Sequence, residues 1–272
     1  SNNAGFDLMG GGTGFQGQIS SPYPIVVMGI AALLGSFSFI TVFQMRRRPR
    51  FWSLDTRFVV IGMVGLLLLG MLLLLASETQ SGRALDGLGV GDALANSFFL
   101  SLNRTTGMAT IDMSALREAT TVALMLLMFI GGASTSTAGG IKLGAFMVII
   151  AVVAAALRGR RRTEAFGREL PPVIVLRAVT ITILGLVAFA IGVWLLALTD
   201  SVPFLPLAFE VMSALANVGW SQGLTGGLTT AGAMILVALM FIGRLGALMV
   251  VLAIPDRPTE RYRYPTGAVR IG

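Results

Sequence analysis

The residues with the clearest chemical capacity fall in three short turns: Asn2-Asn3-Ala4-Gly5-Phe6, Asn103-Arg104-Thr105-Thr106-Gly107-Met108 and Ala216-Asn217-Val218-Gly219-Trp220. Each is a small polar run closing on one glycine, with a loop and a long apolar segment after it. The unit recurs roughly once per hundred residues, the mark of an internal repeat. Such a turn can coordinate a cation through backbone carbonyls. Glycine tolerates backbone angles that other residues avoid and leaves no side chain in the way. The carbonyls of Asn3, Ala4 and Gly5, of Thr105, Thr106 and Gly107, and of Asn217, Val218 and Gly219 can then replace an ion's hydration shell. A single turn of this kind reads equally as a helix C-cap. Three at similar spacing point to one ion path shared by the assembly.

The elements that must position these turns are helices in a membrane. The chain is 55% hydrophobic and 12% charged, whereas a soluble domain is about 25% charged. Charge-free runs cover Tyr23–Met45, Phe58–Ala76, Ala119–Ile141, Leu143–Leu157 and Ala178–Thr199. A spanning helix needs roughly 20 mostly apolar residues, so an all-α integral membrane protein is expected. Spanning helices are predicted at Pro24–Gln44, Phe58–Ala76, Arg177–Leu198 and Thr229–Ile254. The apolar pieces Ala93–Leu102 and Pro203–Ala216, just ahead of Gly107 and Gly219, are too short to span and fit re-entrant helices. A re-entrant helix ending mid-membrane aims the negative end of its dipole at the ion path, which favours a cation.

From Ala119 to Leu157 the chain is apolar apart from Lys142, its sole lysine. One helix of that length would measure about 58 Å at 1.5 Å per residue, against a hydrocarbon core of about 30 Å. A break is predicted at Gly131-Gly132-Ala133-Ser134-Thr135-Ser136-Thr137-Ala138-Gly139-Gly140, where glycine and hydroxyl residues oppose helix. Non-helical backbone at that depth needs protein or a wet cavity around it. The segment is no phosphate cradle, because it has no Gly-Lys-Ser/Thr and no strand before it.

Charge placement orients the chain. Basic residues outnumber acidic ones 20 to 13. Arginines cluster at 46, 47, 48, 50 and 57, at 158, 160, 161, 162, 168 and 177, and in the tail at 257, 261, 263 and 270. Loops of the opposite parity carry only Arg83, Arg104 and Arg117. This is the positive-inside pattern, and it predicts a multi-pass plasma (inner) membrane protein with a cytoplasmic C-terminus. Anionic membrane lipids account for the clusters, and nucleic acid is not needed. With no cysteine and no histidine, disulfides, thiolate chemistry and transition-metal sites of those ligands are excluded. No carboxylate pair or nucleophile–base set suggests an enzyme, and no cofactor is implied. The polar, uncharged opening is not a cleavable signal peptide, and a start at Ser1 within a half-unit leads one to expect further chain ahead.

These motifs, in this order, resemble the Trk/Ktr/HKT superfamily of potassium transporters nearly end to end. In that family one chain forms four helix–pore-loop–helix repeats around an ion path, with one filter glycine per repeat. Asn2 to Phe6 is similar to the second-repeat filter. Asn103 to Gly107 with Thr110-Ile111-Asp112 is similar to the third. Glu210, Ser213-Ala214, Val218-Gly219, Ser221 and Gly223-Leu224-Thr225 are similar to the fourth. The resemblance implies a pseudo-fourfold architecture from which the first repeat and half of the second are missing. Residues 1–57 would end repeat 2, 58–168 would form repeat 3 and 169–272 repeat 4. It further implies a pore-forming subunit for potassium or sodium uptake, with K⁺ or Na⁺ as the transported ion at the filter. Gly131, Gly132, Ser134, Thr135, Ser136, Thr137, Gly139, Gly140 and Lys142 would form an intramembrane gating loop. Arg244, in Phe241-Ile242-Gly243-Arg244-Leu245-Gly246, would project toward the ion path; a lone charge at mid-membrane is costly and normally faces a cavity. A second copy and a cytoplasmic nucleotide-binding regulatory subunit are the implied partners. Asp112 and Glu210, beside the filter motifs, are expected to bond the pore loop or cap helices and not to ligate the ion. The chain departs from the pattern at Met108, at Trp220, in a gating loop without proline, and in the run Leu34-Gly35-Ser36-Phe37-Ser38-Phe39. The alternative expectation is a truncated, non-transporting fragment acting only as an interaction partner.

Overall fold

The computed structural model describes residues 22–253 apart from 81, 135, 137 and 161. The first turn with Asn3, Ala4 and Gly5, the loop residues Thr135 and Thr137, and the basic tail therefore lie outside the described residues.

The described chain is helical almost throughout: α1 Pro22–Ser36, α2 Phe39–Met45, α3 Leu54–Glu78, α4 Val90–Asn103, α5 Glu118–Phe129, α6 Leu143–Leu157, α7 Pro172–Thr199, α8 Phe204–Leu215 and α9 Thr230–Ala253. A two-residue hairpin, β1 Glu164–Ala165 with β2 Arg168–Glu169, punctuates the α6–α7 loop. Its turn residues Phe166 and Gly167 both have positive φ. Helices α3 and α7 are long and apolar enough to cross a membrane. The short helices α4 and α8 stand where re-entrant segments are expected, and α5 and α6 flank the break expected at 131–140.

One element differs from its sequence-based reading. The run Pro24–Gln44 is not one helix but two, α1 and α2, bent by 104°. The Ser36 hydroxyl donates back to the Ala32 carbonyl, and the Ser36 carbonyl accepts the Ala133 N–H at 3.0 Å from a distant loop. Ser38 then caps a new helix, its hydroxyl oxygen accepting the Thr41 N–H at 3.3 Å. Hydroxyl side chains offer the backbone partners other than the i−4 carbonyl, and here a tertiary bond makes that alternative permanent. Together the pair has the length and apolarity of one span, either broken at the bend or folded as a re-entrant loop.

Two units repeat the same path. In the first, α3 is followed by α4, a glycine turn and the broken α5–α6; in the second, α7 is followed by α8, a glycine turn and α9. Helix α4 packs on α1 and α3, while α8 packs on α5, α7 and α9, so each short helix sits inside a wall of longer ones. The main core runs through this seam, with Leu100 of α4, Leu124 and Met128 of α5, Leu143 of α6 and Phe209 of α8 fully buried.

A carboxylate at the end of each outer helix fixes the start of the inner one. Glu78 Oε1 accepts the Arg117 N–H at 3.2 Å and the Thr120 hydroxyl, at the head of α5. Asp200 Oδ1 accepts the Thr229 N–H at 2.7 Å and Oδ2 accepts the Thr229 hydroxyl at 3.0 Å, at the head of α9. The first N–H groups of a helix have no partner within it, and a negative charge there also meets the favourable end of the dipole.

Candidate ion filter and gate

The two described glycine turns are built from the ends of α4 and α8. The Asn103 carbonyl accepts the N–H groups of Thr106 at 2.9 Å and Gly107 at 3.0 Å, and its side-chain oxygen accepts the Thr106 hydroxyl. In the second turn the Ser213 carbonyl accepts the Val218 N–H at 2.9 Å, and the Ser213 hydroxyl accepts the Gly219 N–H at 3.1 Å. Both glycines are left-handed, with φ of +75° at Gly107 and +101° at Gly219. Consuming the N–H groups inward leaves turn carbonyls free of that ladder. Asn217 reaches positive φ without being glycine, because its side-chain amide donates to the Met240 carbonyl of α9 at 3.0 Å.

The turns meet each other. A Cβ at Gly107 would run into the Val218 carbonyl, whereas one at Gly219 would find nothing within 4 Å. The Trp220 indole N–H donates to the Met108 carbonyl at 3.1 Å. Gln222 Nε2 donates to the Met113 carbonyl and to the Thr121 hydroxyl, each at 3.1 Å. Met108 and Trp220, two of the departures from the resembled pattern, are thus bonded partners. Ser36 joins from the other side, its hydroxyl 3.0 Å from that of Thr105.

The acidic residues beside the turns serve the backbone. Glu210 accepts the Gln222 N–H at 3.1 Å, the Thr225 hydroxyl at 3.0 Å and the Ser221 hydroxyl. Asp112 accepts the Ser114 N–H at 2.9 Å and caps the short turn Met113–Ala115. Among the described residues no group of acidic side chains is placed to hold a metal ion.

The glycine-rich break is a lasso with a pinned stem. Gly131 N–H donates to the Ile141 carbonyl at 2.8 Å, Ile141 N–H to Phe129 at 3.0 Å, and Leu143 N–H to Gly132 at 2.9 Å. A Cβ at Gly139 would strike the Ala216 carbonyl, so the loop lies directly against the foot of the second turn. Gly131 and Gly132 are buried, Ser134 is exposed, Ser136 donates to the Ala133 carbonyl at 2.7 Å, and Gly140 takes φ of +72°. Lys142 Nζ donates to the Ala138 carbonyl at 2.6 Å, which ties it to the loop and not to a membrane surface. Arg244 is exposed on α9, close enough for its charge to act on Lys142.

Sequence reasoning missed Arg104. Among the described residues it is the largest fully buried side chain, 1% exposed, and sits at the foot of the first turn. Its Nη1 donates to the Ile130 carbonyl at 2.6 Å, the end of α5, and Nη2 lies 3.7 Å from the Met63 sulfur of α3. The available signal was an arginine on the charge-poor side of the chain, next to a filter motif. The capping carboxylates Glu78 and Asp200 were missed too.

Fold and site together define a multi-pass α-helical membrane protein that gathers glycine turns over an intramembrane loop. The chain belongs to the TrkH cation transport protein family, whose model matches residues 2–262. It is 36% identical over its whole length to the Ktr system potassium uptake protein B of Bacillus subtilis, and 33% identical over 99% of it to the potassium/sodium uptake protein NtpJ of Enterococcus hirae. It spans 61% of the length of each of these curated relatives. The crystal structure of the potassium transporter TrkH from Vibrio parahaemolyticus shares the fold, with a TM-score of 0.66 over 87% of this chain and 53% of that one at 19% identity.

Proposed function

We propose that this chain contributes to the pore-forming subunit of a potassium or sodium uptake system in the plasma membrane. Ions pass by carbonyl coordination at Asn3–Gly5, Thr105–Gly107 and Asn217–Val218–Gly219. The loop 131–140, with Lys142 and Arg244 beside it, acts as the gate. Residues 1–57, 58–168 and 169–272 belong to three successive repeats around the path. The arginine clusters and the C-terminus lie on the cytoplasmic side, against anionic lipid headgroups. A second copy and a cytoplasmic nucleotide-binding regulatory subunit complete the assembly; the Ktr system names of the relatives support a multi-subunit system.

The observation that carries this reading is the mutual contact of the two described turns, with Gly107 against the Val218 carbonyl and the gate-loop Gly139 against Ala216. Two carbonyl-bearing turns and a pinned loop at one place form a constriction that a dehydrated cation can use. The test is rubidium uptake by the complete protein in a host lacking its own potassium uptake. Uptake that falls in a Gly107→Ser variant supports the reading. A well-inserted protein without cation flux, or flux untouched by Gly107→Ser, defeats it.

A further inference from the structure

Two neighbouring residues of the first turn reach the two ends of one short stretch of the glycine-rich loop. Arg104 Nη1 donates to the Ile130 carbonyl at 2.6 Å. Further along, the Ala133 N–H donates to the Ser36 carbonyl at 3.0 Å, and the Ser36 hydroxyl lies 3.0 Å from that of Thr105. Arg104, Ile130, Ala133, Ser36 and Thr105 thus close a ring joining the turn, the loop and the α1–α2 bend. All are buried, with Ser36 1%, Thr105 3% and Ala133 0% exposed. The Ser36 hydroxyl gives its one proton to the Ala32 carbonyl, so in the contact with Thr105 it accepts and Thr105 donates. Inside the ring Gly132 permits the approach, since a Cβ there would stand 2.8 Å from the Ser36 carbonyl oxygen. Among the described residues the second turn makes no such ring. Aligned on Gly107 and Gly219, Arg104 corresponds to Ala216 and Thr105 to Asn217. The Ala216 methyl cannot donate, and it lines an apolar cavity of about 530 Å³ between α7, α9 and the loop stem. The Asn217 amide donates to Met240 of its own inner helix.

We propose that Ser36 is a positioning residue of the gate, through which cation occupancy of the first turn and the placement of the loop 131–140 are coupled. The coupling rests on the pore reading and states how its filter and gate communicate. A cation held at the carbonyls of Thr105, Thr106 and Gly107 orders that turn. The Thr105 hydroxyl carries the order to Ser36, and the Ser36 carbonyl carries it to the Ala133 amide. Arg104 grips the same stretch at Ile130, so the loop cannot leave the turn without breaking a buried hydrogen bond. Such bonds are strong in a low-dielectric interior and costly to leave unmade. A contiguous buried network is a physical route for coupling, and coupling between two sites is reciprocal. Displacing the loop from Ser36 therefore frees the Thr105 side chain and weakens the turn's hold on the ion, as release past the gate requires. Ser36 lies in the run Leu34–Phe39, where the chain departs from the resembled pattern. Ser38 of the same run caps α2 and so fixes the bend that presents the Ser36 carbonyl to the loop.

The test uses the complete transporter in a cysteine-free background, with a nitroxide on Ser134→Cys, the exposed neighbour of Ala133. Potassium binding is measured by calorimetry, and loop mobility by the nitroxide line shape in potassium chloride and in N-methylglucamine chloride. Potassium should shift the parent nitroxide toward its immobile component. In Ser36→Ala, which keeps the carbonyl and loses the hydroxyl, that shift should vanish and the potassium Kd should rise about five-fold or more. Ser36→Thr, which keeps the hydroxyl, should restore both. If Ser36→Ala inserts poorly, Thr105→Val breaks the same bond from the other side and should abolish the shift as well. A merely structural Ser36 would loosen the nitroxide equally in both salts and leave the potassium shift in place, and that result overturns the proposal. Potassium binding that leaves the parent nitroxide unmoved overturns it too, with the pore reading intact. A parent that binds no potassium and moves no rubidium fails the pore reading, and the coupling falls with it.

Discussion

The two units solve one packing problem in opposite ways. Below the first glycine turn a buried arginine ties the re-entrant helix to the inner helix through the Ile130 carbonyl; below the second, Ala216 makes no such tie and a cavity opens. At the outer ends the difference reverses. Glu210 holds the loop after the second turn by three hydrogen bonds, while Phe98, its counterpart in the first, offers none. The first turn is thus held from beneath by a buried arginine, the second from above by Glu210 and at its foot by the lighter tie of the Asn217 amide to the Met240 carbonyl. If the two turns share one ion path, as proposed, they need not respond as one body, and the loop 131–140 lies against the foot of the second.

The largest expected effects test the shared part of the comparison. Gly107→Ala meets the Val218 carbonyl as well as an unfavourable left-handed backbone, worth ~2 kcal/mol or more, and should abolish rubidium uptake. Gly219→Ala carries the backbone cost alone, so the protein should fold better than Gly107→Ala yet lose potassium-over-sodium preference in the same assay. Equal melting temperatures for the two would break the asymmetry. Next, Arg104→Met removes the donor to the Ile130 carbonyl in a buried site, a loss of about 1–3 kcal/mol. It should raise gate-dependent leak, measured as rubidium efflux, because the lasso stem begins at Gly131.

Smaller effects follow at the caps. The Thr229 N–H, then the hydroxyls of Thr199 and Thr229, hold the Asp200 carboxyl below the ordinary carboxylate range. A folded pKa below the unfolded one, near 3.9, gives stability that is full above that value and lost as pH falls through the lower folded one. Melting curves of Asp200→Asn against the parent should therefore differ at pH 7 and converge as the pH falls through the lowered folded value. Least of all, removing the exposed pairs Arg160–Glu164 and Arg162–Glu169 of the α6–α7 loop should change stability by no more than ~0.5 kcal/mol.

Much of this organisation is legible in the sequence, because lipid imposes strong rules on it. Apolar run length marked α3 and α7, short apolar pieces marked α4 and α8, and the density of glycine and hydroxyl marked the break at 131–140. The bend between α1 and α2 was not legible, since it depends on a bond from Ala133 to Ser36 that no local pattern reveals. Arg104 escaped for a related reason: its partner is a backbone carbonyl 26 residues away, and backbone groups leave no trace in residue type. That Thr105, Gly107, Val218, Gly219 and Gly139 belong to turns and a break was legible from their composition, but that Gly107 meets the Val218 carbonyl was not, since no local pattern carries a contact across 111 residues.

The pinned stem of the lasso has a consequence for how the loop exchanges with solvent and moves. With Ile130 and Ile141 paired side by side, the loop is a closed ring, and most of the entropy of bringing its ends together is spent before the tip is ordered. The Gly131 and Ile141 amides at the stem should then stay protected until α5 and α6 part. Hydrogen exchange should register the pinning as slow exchange at Gly131 and Ile141, the slow set reporting global opening.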